Sequence, residues 1–178
     1  MRLNRRETLA GLAAATAAAS FAAPGAQAAG LPRNVRPLER NETFPDVAFR
    51  DATGADQGFV ELRGKPAIAT FWATWCTVCY GEMPKLDRLQ AMAGDRVHLR
   101  PLSIDRAGMP AVQAYYAKRG FRSLQPYIDP EMIFASIMGI RGVPTSFILD
   151  SQGRMAAVVQ GAADWDSQEM VDYLMTLA

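Results

Sequence analysis

The chain has few of the residues on which several protein classes depend. Among 178 residues there are two cysteines and one histidine. These are too few for a disulfide-stapled scaffold or for a metal site built from histidines. Nineteen basic residues against 18 acidic ones leave a net charge of +1, so no positive excess favours nucleic acid. Hydrophobic residues make up 49% and charged residues 21%, which excludes a disordered or collagen-like chain. What remains is a single globular domain with one pair of thiols.

The first 28 residues have the pattern of an export signal. A short basic opening precedes an apolar run, mostly alanine, from Leu9 to Ala23. Pro24 ends the run, and Ala26-Gln27-Ala28 supplies the small-x-small pattern of signal-peptidase sites. The run is shorter than the roughly 20 residues of a transmembrane helix. We therefore expect cleavage after about Ala28, with an uncleaved membrane anchor as the alternative, and the pair Arg5-Arg6 resembles a twin-arginine signal.

The rest of the chain is predicted to consist of an N-terminal arm over 29–43 and a folded domain over 44–178. Prolines in the arm indicate a segment without regular structure. Beyond it, short apolar runs alternate with segments of helical periodicity, the first helix presenting an apolar stripe that runs to Met92. This order predicts an α/β fold in which a central mixed sheet is flanked by helices. The predicted strands are 47–51, 67–73, 97–104, 146–149 and 155–159, and the predicted helices run from 76 onward and over 110–119, 131–138 and 166–177.

The two cysteines, Cys76 and Cys79, fall where a buried strand changes into a helix. Residues three apart in a first helical turn approach closely enough for a disulfide. Backbone N–H groups and the positive end of the helix dipole would stabilise a Cys76 thiolate, which makes Cys76 the expected nucleophile and Cys79 the resolving thiol. Zinc would need two further Cys or His ligands, and covalent haem would need histidine where Tyr80 stands. Redox exchange is favoured, while a structural disulfide and Cu(I) binding stay open.

Two segments together resemble the TlpA/ResA/CcmG group of exported thioredoxin-like proteins. The first is Phe71-Trp-Ala-Thr-Trp-Cys-Thr-Val-Cys79 followed by Gly81-Glu-Met-Pro84, and the second is Gly142-Val-Pro-Thr-Ser-Phe-Ile-Leu-Asp150. The resemblance runs from about Phe44 to the C-terminus. It implies a thioredoxin-like fold with an N-terminal extension and a central insertion. It also implies a thiol–disulfide oxidoreductase that needs no cofactor and no metal.

The resemblance further suggests roles for individual residues. It implies a cis peptide bond before Pro144, in a loop that lies against the cysteines, and a substrate segment that pairs with the backbone of Val143. Glu82 occupies the position of the family's helix acid and is a candidate for proton transfer during exchange, against the ordinary alternative of an exposed helix glutamate. Trp75 is expected to shield the disulfide or to contact substrate, with a half-buried core tryptophan as the alternative.

Three functions compete on these residues. The favoured one is a periplasmic reductant of selected proteins, acting on apo-cytochrome c thiols or on copper-site cysteines of respiratory oxidase, and re-reduced by a membrane-bound electron donor. The second is a thiol peroxidase, since Phe44-Pro45-Asp46 resembles peroxiredoxins. Ala69 and Ala73, however, stand where those proteins carry Pro and Thr. The third is a Cu(I) carrier that uses the two cysteines as ligands.

Overall fold

The computed structural model describes residues 31–38, 42–129 and 131–178, so the predicted signal lies outside the described residues. Strands and helices alternate along most of the chain, as predicted. The strands are β1 (Arg36–Pro37), β2 (Phe49–Asp51), β3 (Asp56–Gln57), β4 (Ala67–Trp72), β5 (His98–Ser103), β6 (Tyr127–Ile128), β7 (Thr145–Leu149) and β8 (Met155–Gln160). The helices are α1 (Cys79–Ala93), α2 (Met109–Arg119), α3 (Ile133–Ile137) and α4 (Gln168–Met175), with short 3₁₀ turns at Val60–Leu62 and Gly94–Arg96. None of these described helices has the length and apolar character needed to cross a bilayer.

In the described residues the strands form one mixed sheet in the order β1-β8-β7-β4-β5-β6-β2-β3. Strand β4 lies inside the sheet, parallel to β5 on one side and antiparallel to β7 on the other. All six of its side chains are buried, because the sheet is covered on both faces. The continuous apolar run at 67–73 thus forms the buried strand that the sequence predicts.

Helices cover both faces of the sheet around β4. Successive side chains of a strand point to opposite faces, and the two last residues of β4 show where each helix packs. Trp72 contacts Tyr115 and Tyr116 of α2, whereas Phe71 contacts Phe134 of α3 on the opposite face. Helix α1 packs against α4. The predicted α/β fold class, a mixed sheet flanked by helices, is confirmed.

Two predicted features differ from the structure, and two short strands were not predicted. The arm is partly structured, because β1 pairs with the free edge of β8 and Leu38 N–H donates to Ala156 O at 2.9 Å; its Pro37 is tolerated because an edge strand need not donate on both sides. Strands β3 and β6 were not predicted, since two-residue strands carry almost no periodicity. Met92, expected in the apolar stripe of α1, is exposed, and the buried stripe ends in Ala93 instead.

A cluster of phenylalanine rings centred on Phe134 joins distant parts of the chain. The Phe134 ring packs against four others at centroid distances of 5.3–6.4 Å, namely those of Phe44, Phe49, Phe59 and Phe71. Its side chain is fully buried. Because these rings come from the segment before β2, from β2 itself, from the turn before β4 and from β4, the cluster holds the N-terminal extension against the sheet.

We expect Phe134→Ala to lower the free energy of unfolding by about 3–5 kcal/mol, because it removes the central ring and leaves a cavity among four others. Ile133→Ala is the matched control, since its side chain is next in sequence but 55% exposed, and we expect a change within about 1 kcal/mol. Urea denaturation of both variants measures the difference. Equal losses would contradict the placement of Phe134 at the centre of the cluster.

Candidate active site

Cys76 and Cys79 form a disulfide at the junction between β4 and α1, with their Cα atoms 5.2 Å apart. The helix begins at Cys79, and the Cys79 N–H donates to the Cys76 sulfur at 3.1 Å. Val78 directly precedes the helix, so Cys76 is not its N-cap residue, but the Cys76 sulfur accepts from the first helical N–H and lies at the positive end of the helix. Cys79 is completely buried, whereas Cys76 is 6% exposed. The two sulfurs thus differ in accessibility, with Cys76 the outer one.

The second predicted segment lies directly beside the first. The Val143–Pro144 peptide bond is cis, as the resemblance implies, and the Cys76 sulfur lies 3.4 Å from the Val143 carbonyl oxygen. Thr145 closes this loop by donating its hydroxyl to Gly142 O at 2.8 Å. The structure therefore brings Cys76, Val143 and Pro144 together as expected.

Asp105 holds the loop that leads into the cysteines, a role that the sequence did not indicate. Its buried carboxylate accepts hydrogen bonds from the backbone N–H and the hydroxyl of Thr74, both at 2.8 Å, and from the Ser103 hydroxyl at 2.6 Å. Thr74 precedes Trp75 and Cys76, so these bonds connect the end of β5 to the active-site loop. Asp105 is a positioning residue, because its two oxygens are occupied by the protein itself.

Glu82 is buried, at 3% exposure, and so the alternative of an exposed helix glutamate is wrong. Its carboxylate accepts a hydrogen bond from Ala163 N–H at 2.7 Å and an ion-paired one from Lys85 Nζ at 3.1 Å. Lys85 also donates to Ala163 O at 2.9 Å. These contacts join α1 to the segment between β8 and α4. Lys85 was missed by the sequence reasoning, although its position three residues after Glu82 places both on one helix face.

Trp75 is 64% exposed, which excludes the alternative of a half-buried core tryptophan. Val78 and Tyr80, on either side of Cys79 in the sequence, are exposed as well. Three exposed apolar side chains close to the cysteines in sequence are therefore available to a partner.

The start of α1, where Pro84 lies inside the helix, is hydrogen-bonded to α2. Pro84 has no N–H with which to reach the Tyr80 carbonyl, and Arg119 Nη2 donates to that oxygen instead, at 2.7 Å. The Tyr80 ring stacks on Tyr115 at 5.8 Å, and burial raises the pKa of Tyr115. Helix α2 therefore fixes the position of the first turns of α1 and of the cysteines on it.

His98 begins β5, at the end of the sheet opposite the cysteines. Burial, together with the nearby charges of Arg100 and Lys65, lowers its pKa. It is a partly buried strand residue rather than a member of the site, as the sequence indicates. Within the described ranges, no three His, Cys, Asp or Glu side chains are grouped in a way that could hold a metal ion.

The fold and the paired thiols agree with comparisons to known proteins. The profile of the family described as Redoxin matches residues 39–174. The chain belongs to the Redoxin family. Thiol-disulfide oxidoreductase ResA of Geobacillus thermodenitrificans is 27% identical over 120 residues, which cover 67% of this chain and 68% of that protein. The thioredoxin-like protein YneN of Bacillus subtilis is 24% identical over 126 residues, covering 65% of this chain and 68% of YneN.

Solved structures show the same fold. A DsbF homologue from Corynebacterium diphtheriae superposes with a TM-score of 0.64 at 21% identity, covering 86% of this chain and 98% of that one. A secreted disulfide oxidoreductase of Mycobacterium tuberculosis, homologous to DsbE, gives a TM-score of 0.62 at 21% identity, covering 74% and 96%. The Redoxin member described here has a thioredoxin-like fold. It is a thiol–disulfide oxidoreductase of the ResA/CcmG type with a Cys-X-X-Cys pair, and the resemblance to the TlpA/ResA/CcmG group is confirmed.

Proposed function

We propose that this Redoxin protein is exported to the periplasm, after removal of residues 1–28, and there reduces disulfides in selected proteins. The observation that carries the proposal is the difference in burial between the two sulfurs. Cys76 keeps a small exposed area, at 6%, whereas Cys79 is completely enclosed. An outer sulfur can be attacked by, or can attack, a partner, while the inner one is protected from partners and reaches only its neighbour.

The reaction runs in two exchanges. In the reduced protein the Cys76 thiolate attacks one sulfur of a substrate disulfide, forming a mixed disulfide and releasing the other substrate sulfur as a thiolate. The Cys79 thiolate then attacks the Cys76 sulfur, which forms the Cys76–Cys79 disulfide and releases the second substrate thiol. The substrate gains two electrons and the protein loses two. The N–H of Cys79, aimed at the Cys76 sulfur at 3.1 Å, favours the thiolate form of Cys76.

The substrate segment is expected to lie along the Val143–Pro144 loop, beside Trp75. In the part of the chain that the structure describes, no backbone hydrogen bond uses the N–H or C=O of Val143. The Val143 N–H is therefore free to pair with an extended peptide, as exposed strand edges do, whereas the Val143 oxygen already faces the Cys76 sulfur. Because the Val143 oxygen is 3.4 Å from the Cys76 sulfur, a cysteine in such a peptide would arrive at Cys76, with Trp75 shielding the exchange.

Glu82 is proposed to move the proton of Cys79. The two residues are three apart in α1 and both are buried, so their side chains share a helix face. A carboxylate in that position accepts the Cys79 proton before the second exchange and gives it to the substrate thiolate that leaves. Lys85 and the N–H of Ala163 hold the carboxylate in place.

The physiological partners are proposed from the family resemblance. We propose that the substrates are disulfides formed by the thiols of apo-cytochrome c or by the copper-site cysteines of respiratory oxidase and its assembly factors. A membrane-bound electron donor would return the pair to the dithiol, because the periplasm is kept oxidising.

We expect Cys79→Ser to accumulate a mixed disulfide through Cys76 when the reduced protein is mixed with a peptide disulfide, because the second exchange is blocked. Cys76→Ser is the matched control and should form far less adduct, since Cys79 is enclosed. Intact-protein mass spectrometry under non-reducing conditions measures both. Equal trapping by the two variants would contradict the assignment of Cys76 as the attacking sulfur.

We expect the Cys76–Cys79 pair to have a midpoint potential near that of thioredoxin, about −270 mV, as a reductant requires. Equilibration with a dithiothreitol series, followed by alkylation, measures it. A value near −120 mV would instead indicate a disulfide donor. Failure to form the intramolecular disulfide, together with tight Cu(I) binding, would favour the carrier function.

We expect Glu82→Gln to slow the second exchange by about tenfold or more, because a proton acceptor is lost while the oxygen that accepts from Ala163 is kept. The pH dependence of that exchange should flatten as well. Glu169→Gln is the control, since Glu169 is an exposed residue in the first turn of α4. Stopped-flow tryptophan fluorescence measures the rates. An unchanged pH profile with a lower free energy of unfolding would show that Glu82 is structural.

A further inference from the structure

A cavity of about 630 Å³ opens beside Cys76. One wall is Trp75, another is the loop after β5 at 104–107, and the third is the segment 140–143 that precedes the cis-proline. Met132, at the start of α3, also lines it. A peptide paired with the Val143 backbone would place its side chains in this cavity, because Val143 also lines the cavity.

The charged side chains of this cavity are mostly positive. Arg106 and Arg141 line it and are exposed, and neither makes a hydrogen bond or ion pair with any described residue. The acidic residue among its lining is Asp105, whose carboxylate is buried and accepts from Thr74 and Ser103. Among the described residues the two guanidinium groups have no partner, whereas the Asp105 carboxylate already accepts from Thr74 and Ser103.

A second cavity, of about 620 Å³, is also lined by arginine side chains and lies on the other side of the loop. It shares residues 140–143 with the first and adds Arg36 from β1, together with Pro144 and Gln160. No Asp or Glu is among the described residues that line it. The positive charge thus extends on both sides of the Val143–Pro144 loop, although the chain as a whole is nearly neutral.

We propose that these cavities select substrate segments with an acidic side chain within about two residues of the reactive cysteine. Strand residues rise by about 3.3 Å each, so a peptide paired with Val143 brings its neighbouring side chains to Arg106 and Arg141. Trp75, Met132 and Ile140 contribute an apolar surface that favours a hydrophobic residue in the same segment. This selectivity rests on the proposed function, since it names the substrate class of that same site.

The test compares three peptides that differ at one residue. Each carries a single cysteine in a mixed disulfide with glutathione, preceded two residues earlier by Glu, Gln or Lys. We expect the pre-reduced protein to act on the Glu peptide about tenfold faster than on the Lys peptide, judged by the second-order rate constant of the single-turnover reaction at low salt, with the Gln peptide between them. The ratio should shrink in 0.5 M salt, because exposed charges are screened.

Charge reversal at the two arginines provides the decisive variant. We expect Arg106→Glu combined with Arg141→Glu to invert the order of the Glu and Lys peptides. The control is Lys65→Glu, which changes charge in the same direction per residue but lies in the turn before β4, at the opposite end of that strand from Cys76. It should keep the wild-type order.

The outcomes separate this inference from the proposed function. Equal second-order rate constants for all three peptides, with efficient reduction of each, would overturn the charge selection and leave the reductant function standing. No reduction of any peptide by the pre-reduced protein would overturn the proposed function itself. A wild-type order retained in the double variant would show that other residues read the charge, and would overturn the assignment to Arg106 and Arg141.

Discussion

The site depends on the antiparallel pairing of β4 with β7. The register places Phe71 opposite Thr145, so the chain that leaves β4 toward the cysteines runs beside the chain that enters β7 from Pro144. Because both strands are buried within the sheet, a shift of one residue would move every side chain of β7 to the other face. The contact between the Cys76 sulfur and the Val143 oxygen, at 3.4 Å, is a consequence of that register.

At the junction between β4 and α1, the residues that meet a partner are more exposed than the residues that keep the cysteines in position. Trp75 is exposed and Cys76 is the more accessible of the two sulfurs, whereas Cys79 and Glu82 are buried. Hydrogen bonds from Thr74 and Ser103 to Asp105 fix one side of the cysteines, and the bond from Arg119 to Tyr80 fixes the other. A rigid frame of this kind keeps the two sulfurs in position while partners of different sequence approach.

Much of the fold could be predicted because it follows from local patterns. The buried run that becomes β4, the apolar runs that become β7 and β8 and the Cys-X-X-Cys junction each have a periodicity or spacing with a direct physical cause. Short elements were missed for the opposite reason. β1, β3 and β6 are two residues long, and they form because a neighbouring strand offers unpaired backbone groups, not because their own residues prefer a strand.

The sequence by itself determined the fold class, the redox pair and the order of the two segments that form the site, because these depend on residue type and spacing. Only the tertiary structure decided that Glu82 is buried against Lys85 and Ala163 and that Asp105 supports Thr74. The same holds for Arg106 and Arg141 beside Val143, which have no partner among the described residues. Burial and charge pairing arise between residues far apart in the chain, and a single sequence does not record which of them meet.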